Sequence, residues 1–108
     1  MLPKQNRAFT RGVEEIFKKG EFISSSNLNF KFILTGNPTP PKISFITPKT
    51  VAKLAVKRNM LRRRGYNALR KYINDFPLGV IGVFLFKKYQ ENVLTIENEI
   101  KNILYKIS

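Results

Sequence analysis

The segment Lys49-Thr-Val-Ala-Lys53-Leu-Ala-Val-Lys57-Arg58-Asn59-Met60-Leu-Arg62-Arg63-Arg64-Gly65-Tyr-Asn-Ala-Leu-Arg70-Lys71 decides how this chain is read. It carries nine of the 20 Lys and Arg residues, and no acidic side chain lies between Glu21 and Asp75. The segment is expected to be helical from about Thr50 to the early seventies, and with about 100° per residue, Lys53, Lys57, Arg64 and Lys71 fall on one side of that helix. Val51, Leu54, Leu61, Leu69 and Tyr72 fall on another, about a quarter-turn away, and form the expected packing face. Arg58 lies inside that apolar arc, Arg62 at its edge and Arg63 far from both groups. A helix that only needs solubility mixes signs, because Glu and Lys four residues apart support each other and like charges repel. Positive charge wrapped round a helix without acidic relief calls for a polyanion, nucleic acid first.

Outward from this helix the pattern changes period. Leu28, Phe30, Phe32 and Leu34 alternate with Asn29, Lys31 and Ile33, which is strand spacing. Gly36-Asn-Pro-Thr-Pro-Pro41 is a turn, Ile43–Thr47 a second strand stopped by Pro48, and residues 21–25 a short edge strand. Downstream, Asp75–Gly79 is a connection. Val80–Phe86 is nearly all apolar, as expected of a central strand covered on both faces. From about Asn92, Val93, Ile96, Ile100, Ile103 and Ile107 form an amphipathic helical stripe. Upstream, a helix from Thr10 to Lys19 is capped by Thr10 and stopped by Gly20, with Phe9, Val13, Ile16 and Phe17 on one face. Gly65 is expected to loosen the basic helix. The order α-β-β-(β)-α-β-α implies one α+β domain over residues 1–108, a two-layer sandwich of about four strands with helices packed on the sheet.

Composition narrows the chemistry. The 108 residues carry a net charge of +13 and a pI near 10.4, with 43% hydrophobic residues, which suits a folded basic domain. The longest apolar run, Gly79–Phe86, is far short of the roughly 20 residues that span a bilayer, so no membrane partner is expected. The opening residues lack an apolar core of the secretory type. His and Cys are absent, which excludes an imidazole base, a thiolate nucleophile and a Cys/His zinc site. The seven carboxylates, Glu14, Glu15, Glu21, Asp75, Glu91, Glu97 and Glu99, stay out of the basic centre. They do not form the converging set that a protein-held pair of metal ions requires. The chain reads as a binder without bond-breaking groups of its own. Aromatics on its strands belong in the core by default, and become a stacking platform for unpaired bases wherever a sheet face is open.

The ordered set Pro48-Lys49-Thr-Val-Ala-Lys53-Leu-Ala-Val-Lys57-Arg58-Asn59-Met60-Leu-Arg62-Arg63-Arg64 resembles the signature helix of the bacterial ribonuclease P protein component. Pro3-Lys-Gln-Asn-Arg7 and Ile16-Phe17-Lys-Lys-Gly20 resemble that family's opening segment and first-helix ending, so the resemblance spans nearly the whole chain. Met60 stands where the family commonly has a second Arg, Tyr66 where it has another, and Val13 where it often has an aromatic.

The resemblance implies the protein subunit of a ribonucleoprotein endoribonuclease, a cytoplasmic tRNA-processing enzyme. Its RNA carries the active centre and the Mg²⁺ ions. The protein's partners would be the ribonuclease P RNA and precursor tRNA, whose 5′ leader is removed. It also implies a left-handed crossover, against the general rule. Matched residue by residue, Lys53, Lys57, Arg58, Asn59, Arg62 and Arg63 are assigned to the RNA subunit and Lys49 to the motif near the cleft, with Arg64 added from its place in the cluster. Phe17, with Phe30 or Phe32 from the strand, is assigned to a cleft for the single-stranded leader. No catalytic residue is expected in the protein. The rivals are a structural RNA-binding protein of ribosomal type and a nuclease acting without RNA.

Overall fold

Across the middle of the sheet, Phe30, Phe84 and Phe45 occupy one aligned row of Cα partners on three neighbouring strands. Their rings stack in sequence, with centroids 4.3 Å apart for Phe30–Phe84 and 5.0 Å for Phe84–Phe45. Alternation along each strand puts these rings on one face, and that face is the one the helices cover.

The computed structural model describes Lys18 and residues 20–107. Of the helix expected between Thr10 and Lys19, only the helical Lys18 is among them, and Phe9, Val13, Ile16 and Phe17 lie outside the described residues. The strands are β1 (Glu21–Ser24), β2 (Leu28–Leu34), β3 (Lys42–Ile46) and β4 (Val80–Phe86). They form one sheet in the order β1-β2-β4-β3. β1 and β2 are an antiparallel hairpin, β2 is antiparallel to β4, and β3 is parallel to β4. The parallel pair is connected through helix α1 (Ala55–Leu69) and a short 3₁₀ turn (Ile73–Asp75). Helix α2 (Val93–Ile107) closes the described chain. The α+β sandwich expected from the pattern is the architecture observed, and the apolar run of β4 lies inside the sheet.

α1 rests on β3, and α2 on β1 and β2. Leu61, Ala68 and Leu69 of α1 and Ile96, Ile100 and Ile103 of α2 are buried against the aromatic row. Phe76, after the 3₁₀ turn, meets Phe30 edge-on at 5.9 Å. Edge-to-face and offset ring pairs of this kind contribute about 0.5–1.5 kcal/mol beyond their area.

Two expectations about α1 need correction. Gly65 does not loosen the helix. It is buried where α1 comes closest to β3, and a Cβ there would sit 2.6 Å from two ring carbons of Phe45. The helix also starts at Ala55 and not near Thr50. The N–H groups of Val51 and Ala52 both donate to the Pro48 carbonyl, at 3.0 and 3.3 Å. That closes a turn, and Leu54 follows in extended conformation. Leu54 is therefore out of helical phase and 60% exposed, although the helical wheel places it in the packing face.

The loop after β2 is tied to the start of β4 at Gly79. That residue has φ +82°, and a Cβ would lie 2.3 Å from the Asn37 carbonyl oxygen. Its N–H donates to the Thr39 carbonyl at 2.7 Å, and its own carbonyl accepts from the Thr35 N–H and hydroxyl at 3.0 and 2.9 Å. Only glycine adopts this backbone at that approach without strain.

Candidate nucleic-acid interface

Because α1 turns Leu61, Gly65, Ala68 and Leu69 down onto the sheet, its remaining faces display the basic residues. Lys57, Asn59, Arg62 and Arg63 are exposed, and Arg58 and Arg64 lie along the flanks. Lys49 and Lys53 are in the lead-in before the helix. The eight residues assigned to RNA thus lie on one helix and its lead-in. The i, i+4 spacing of Arg58 and Arg62 places both over the end of β3. There, Phe45, Ile46 and Thr47 line a groove of about 230 Å³ with Ala55, Arg58, Asn59 and Arg62. Asn59 and Arg62 also border a second groove of about 350 Å³, shared with Arg63 and Tyr66.

The arginines are held by neutral acceptors. Arg58 donates through Nη1 to the carbonyls of Ala52 at 3.1 Å and Lys53 at 2.7 Å, pinning the turn that precedes the helix. Arg62 donates to the side-chain oxygen of Asn59. Arg64 donates to the Tyr89 hydroxyl at 3.3 Å and the Gln90 carbonyl at 3.2 Å. Among the described residues the single salt bridge is Lys71–Glu97, 3.2 Å, beyond the end of α1. A carboxylate would cancel a guanidinium's charge. Carbonyls, an amide and a phenol orient it and leave the charge for an anionic partner, where charge-assisted bidentate bonds are strongest.

The aromatic assignments to a cleft separate. Phe17 lies outside the described residues. Phe30 and Phe32 are in the core, 0% and 3% exposed and stacked on each other at 5.2 Å, so neither ring is available to a base. This corrects their placement in a cleft. Burying those rings in the core contributes more than an exposed platform would, since each covers a large apolar area. The opposite face of β2 carries Asn29, Lys31 and Ile33, all half-exposed. Beside them Phe22 of β1 is 53% exposed, with the Lys31 ammonium 5.9 Å from its ring centroid. The signal for this face is present in the alternation, because a lysine cannot share the buried face with Phe30. Tyr89, which meets Arg64 and Lys57, gives no signal in the sequence, since that contact joins elements 25 residues or more apart.

Among the described residues no three His, Cys, Asp or Glu side chains are placed to hold a metal ion. The two buried carboxylates are engaged, Glu97 with Lys71 and Glu99 with the β1–β2 turn. Neither of these two carboxylates is free to take a Mg²⁺ ion. No helix among the described residues is long and apolar enough to cross a membrane.

Comparison with known proteins agrees with the fold and the motif. The family model described as Ribonuclease P matches residues 3–108. The Ribonuclease P protein component of Borrelia garinii subsp. bavariensis is 30% identical over 98 residues, covering 88% of each chain. Its counterpart in Borreliella burgdorferi is 29% identical over 97 residues, covering 87% of this chain and 82% of that one. Among solved structures, the RNase P protein from Thermotoga maritima superposes with a TM-score of 0.81 at 20% identity, over 94% of this chain and 97% of that one. The Staphylococcus aureus RNase P protein gives 0.77 at 15% identity, over 97% and 95%. With the family model covering nearly its whole length, its motif on an exposed basic helix and its fold shared with those structures, this chain belongs to the ribonuclease P protein family.

Proposed function

We propose that this chain, as a subunit of the ribonucleoprotein endoribonuclease ribonuclease P, grips the RNA subunit with α1 and its lead-in turn. The contacts would come from Lys49, Lys53, Lys57, Arg58, Asn59, Arg62, Arg63 and Arg64. The observation that carries this reading is the set of arginines oriented by neutral acceptors and, among the described residues, left without carboxylate partners. Phosphate contacts of this kind position a protein on RNA, and their number sets the salt dependence of binding.

The single-stranded 5′ leader of precursor tRNA lies, on this reading, along the sheet face that carries Phe22 and Lys31, and the family resemblance adds Phe17 to its contacts. An exposed ring beside an ammonium supplies stacking and phosphate contact together, the combination that binds unpaired strands without strict sequence preference. Bond cleavage, and the Mg²⁺ that serves it, belong to the RNA subunit, and the protein acts as one cytoplasmic domain that binds and orients. The test is precursor tRNA binding to the reconstituted RNA–protein enzyme, with and without a leader of several nucleotides. Tighter binding of the leader-bearing form only when protein is present is the expected result, and equal binding of the two forms would overturn the leader assignment.

A further inference from the structure

The connection between β4 and α2, Lys87-Lys88-Tyr89-Gln90-Glu91, lies outside the signature motif, yet α1 is fastened to it. Arg64 donates through Nη1 to the Tyr89 hydroxyl and the Gln90 carbonyl, and its guanidinium carbon is 5.5 Å from the Tyr89 ring centroid. Lys57, two helical turns earlier, has its ammonium 5.8 Å from the same centroid. The ring is partly buried and packed against the core, so its position is fixed by the fold. One anchored ring therefore meets two cations seven residues apart on α1.

A ring attracts cations through its electron-rich face and a phenol through its oxygen, and neither carries a countercharge. Long cationic side chains lose rotamer freedom when they bind, and a neutral neighbour that restricts them beforehand lowers that cost while leaving their charge intact. Both bonds from Arg64 use Nη1, which leaves the Nε and Nη2 edge of the fork to meet a phosphate in bidentate fashion.

We propose that Tyr89 is a positioning residue for RNA binding: it preorganises Lys57 and Arg64, so that the RNA-binding surface of α1 continues onto the 87–90 connection. The proposal rests on the RNA-binding reading of α1. Its test measures affinity for ribonuclease P RNA across a salt series, for wild type, Tyr89→Leu, Tyr89→Phe, Arg64→Ala and the Tyr89→Leu/Arg64→Ala double variant. Each protein is assayed well below its own unfolding midpoint.

Without a ring to hold either cation, Tyr89→Leu should bind about tenfold more weakly. Its log–log salt slope should stay close to that of wild type, because both cations are still present and only the cost of ordering them rises. Tyr89→Phe keeps the ring and should lose only about two- to threefold, the share of one hydrogen bond at 3.3 Å. The double variant should lose less than the product of the single effects, because both changes remove the same interaction. Should Tyr89→Leu not fold, Arg64→Lys gives the corresponding reading, since an ammonium keeps the charge but lacks the planar fork that meets the two acceptors from one nitrogen and a phosphate along the opposite edge. Unchanged affinity of Tyr89→Leu, a slope shallower by about 0.7–0.9 as for a lost phosphate contact, or independent effects in the double variant would overturn the positioning role. Failure of the wild-type protein to bind the RNA would overturn the reading of α1 itself.

Discussion

Replacing Gly65 with Ala sets two physical effects against each other. In an exposed helix the change stabilises by about 1 kcal/mol, because glycine has the larger conformational entropy to lose. Here the new methyl would lie 2.6 Å from Cδ1 and Cε1 of Phe45 and 3.0 Å from Cγ. Carbon atoms settle at about 3.5–4.0 Å, so helix or ring must yield by about 1 Å. The ring is confined, stacked on Phe84 at 5.0 Å, tilted against Phe86 at 5.6 Å and met edge-on by Tyr66 at 5.1 Å. Moving the helix instead would lift Leu61 and Leu69 off the core. Overpacking costs about 1–3 kcal/mol, and a displacement of about 1 Å against a confined ring belongs in the upper half of that range, which outweighs the helical gain and leaves a net loss of about 1–2 kcal/mol. For a chain of this size the unfolding midpoint should fall by about 5–10 °C. Thermal and urea unfolding followed by circular dichroism measures it. Adding Phe45→Leu should recover part of the loss, with a coupling of at least about 0.5 kcal/mol between the two sites. A Gly65→Ala protein as stable as wild type, or more so, would refute the close-approach account.

Other consequences can be tested alongside. Glu99 accepts from the Ser25 hydroxyl, the Asn27 N–H and the Asn27 side-chain amide, each at 2.6 Å; Glu99→Gln turns an amide toward one of these donors and should cost about 1.5–3 kcal/mol in urea unfolding. Arg62→Ala with Arg63→Ala removes two exposed side chains, so stability should stay within about 0.5 kcal/mol while the salt slope of RNA binding falls by about 1.4–1.8. Arg58→Ala should differ from that pair, losing about 1–2 kcal/mol of stability as well as affinity, because its guanidinium pins the Ala52 and Lys53 carbonyls. For the wild-type protein, about six phosphate contacts give a log–log salt slope of roughly −4 to −5, and a flat dependence would contradict the electrostatic basis of the interface.

Much of the architecture is legible because it rests on periodicity. The alternation of Leu28–Leu34, the unbroken apolar run of Val80–Phe86 and the stripe through Ile96, Ile100 and Ile103 are each imposed by burial on one or two faces, and the structure has each where the spacing puts it. The start of α1 is not legible in this way. Residues 49–54 have acceptable helical propensity, and what turns the chain there is the Pro48 carbonyl taking two N–H groups, locked by a fork reaching back from Arg58. Gly65 illustrates the limit of local rules, since only the neighbouring strand reveals why a methyl is excluded. Residue type alone points Phe30 and Phe32 to the cleft, yet Lys31 between them marks the opposite face of β2 as the half-exposed one. Glu99 reads as a polar position on α2, and its burial depends on the β1–β2 turn coming within reach from more than 70 residues away. The motif residues are legible because Arg58 and Arg62 are one helical turn apart. Their neutral anchors, apart from Asn59, lie off the helix.

The most direct test of the central claim is cleavage of a precursor tRNA at low Mg²⁺ by bacterial ribonuclease P RNA alone, by this protein alone, and by the two together. The account predicts accurate 5′-leader removal in the mixture, little or none with the RNA alone, and none with the protein alone. Cleavage by the protein alone, or an RNA whose activity is unchanged when the protein is added, would contradict it.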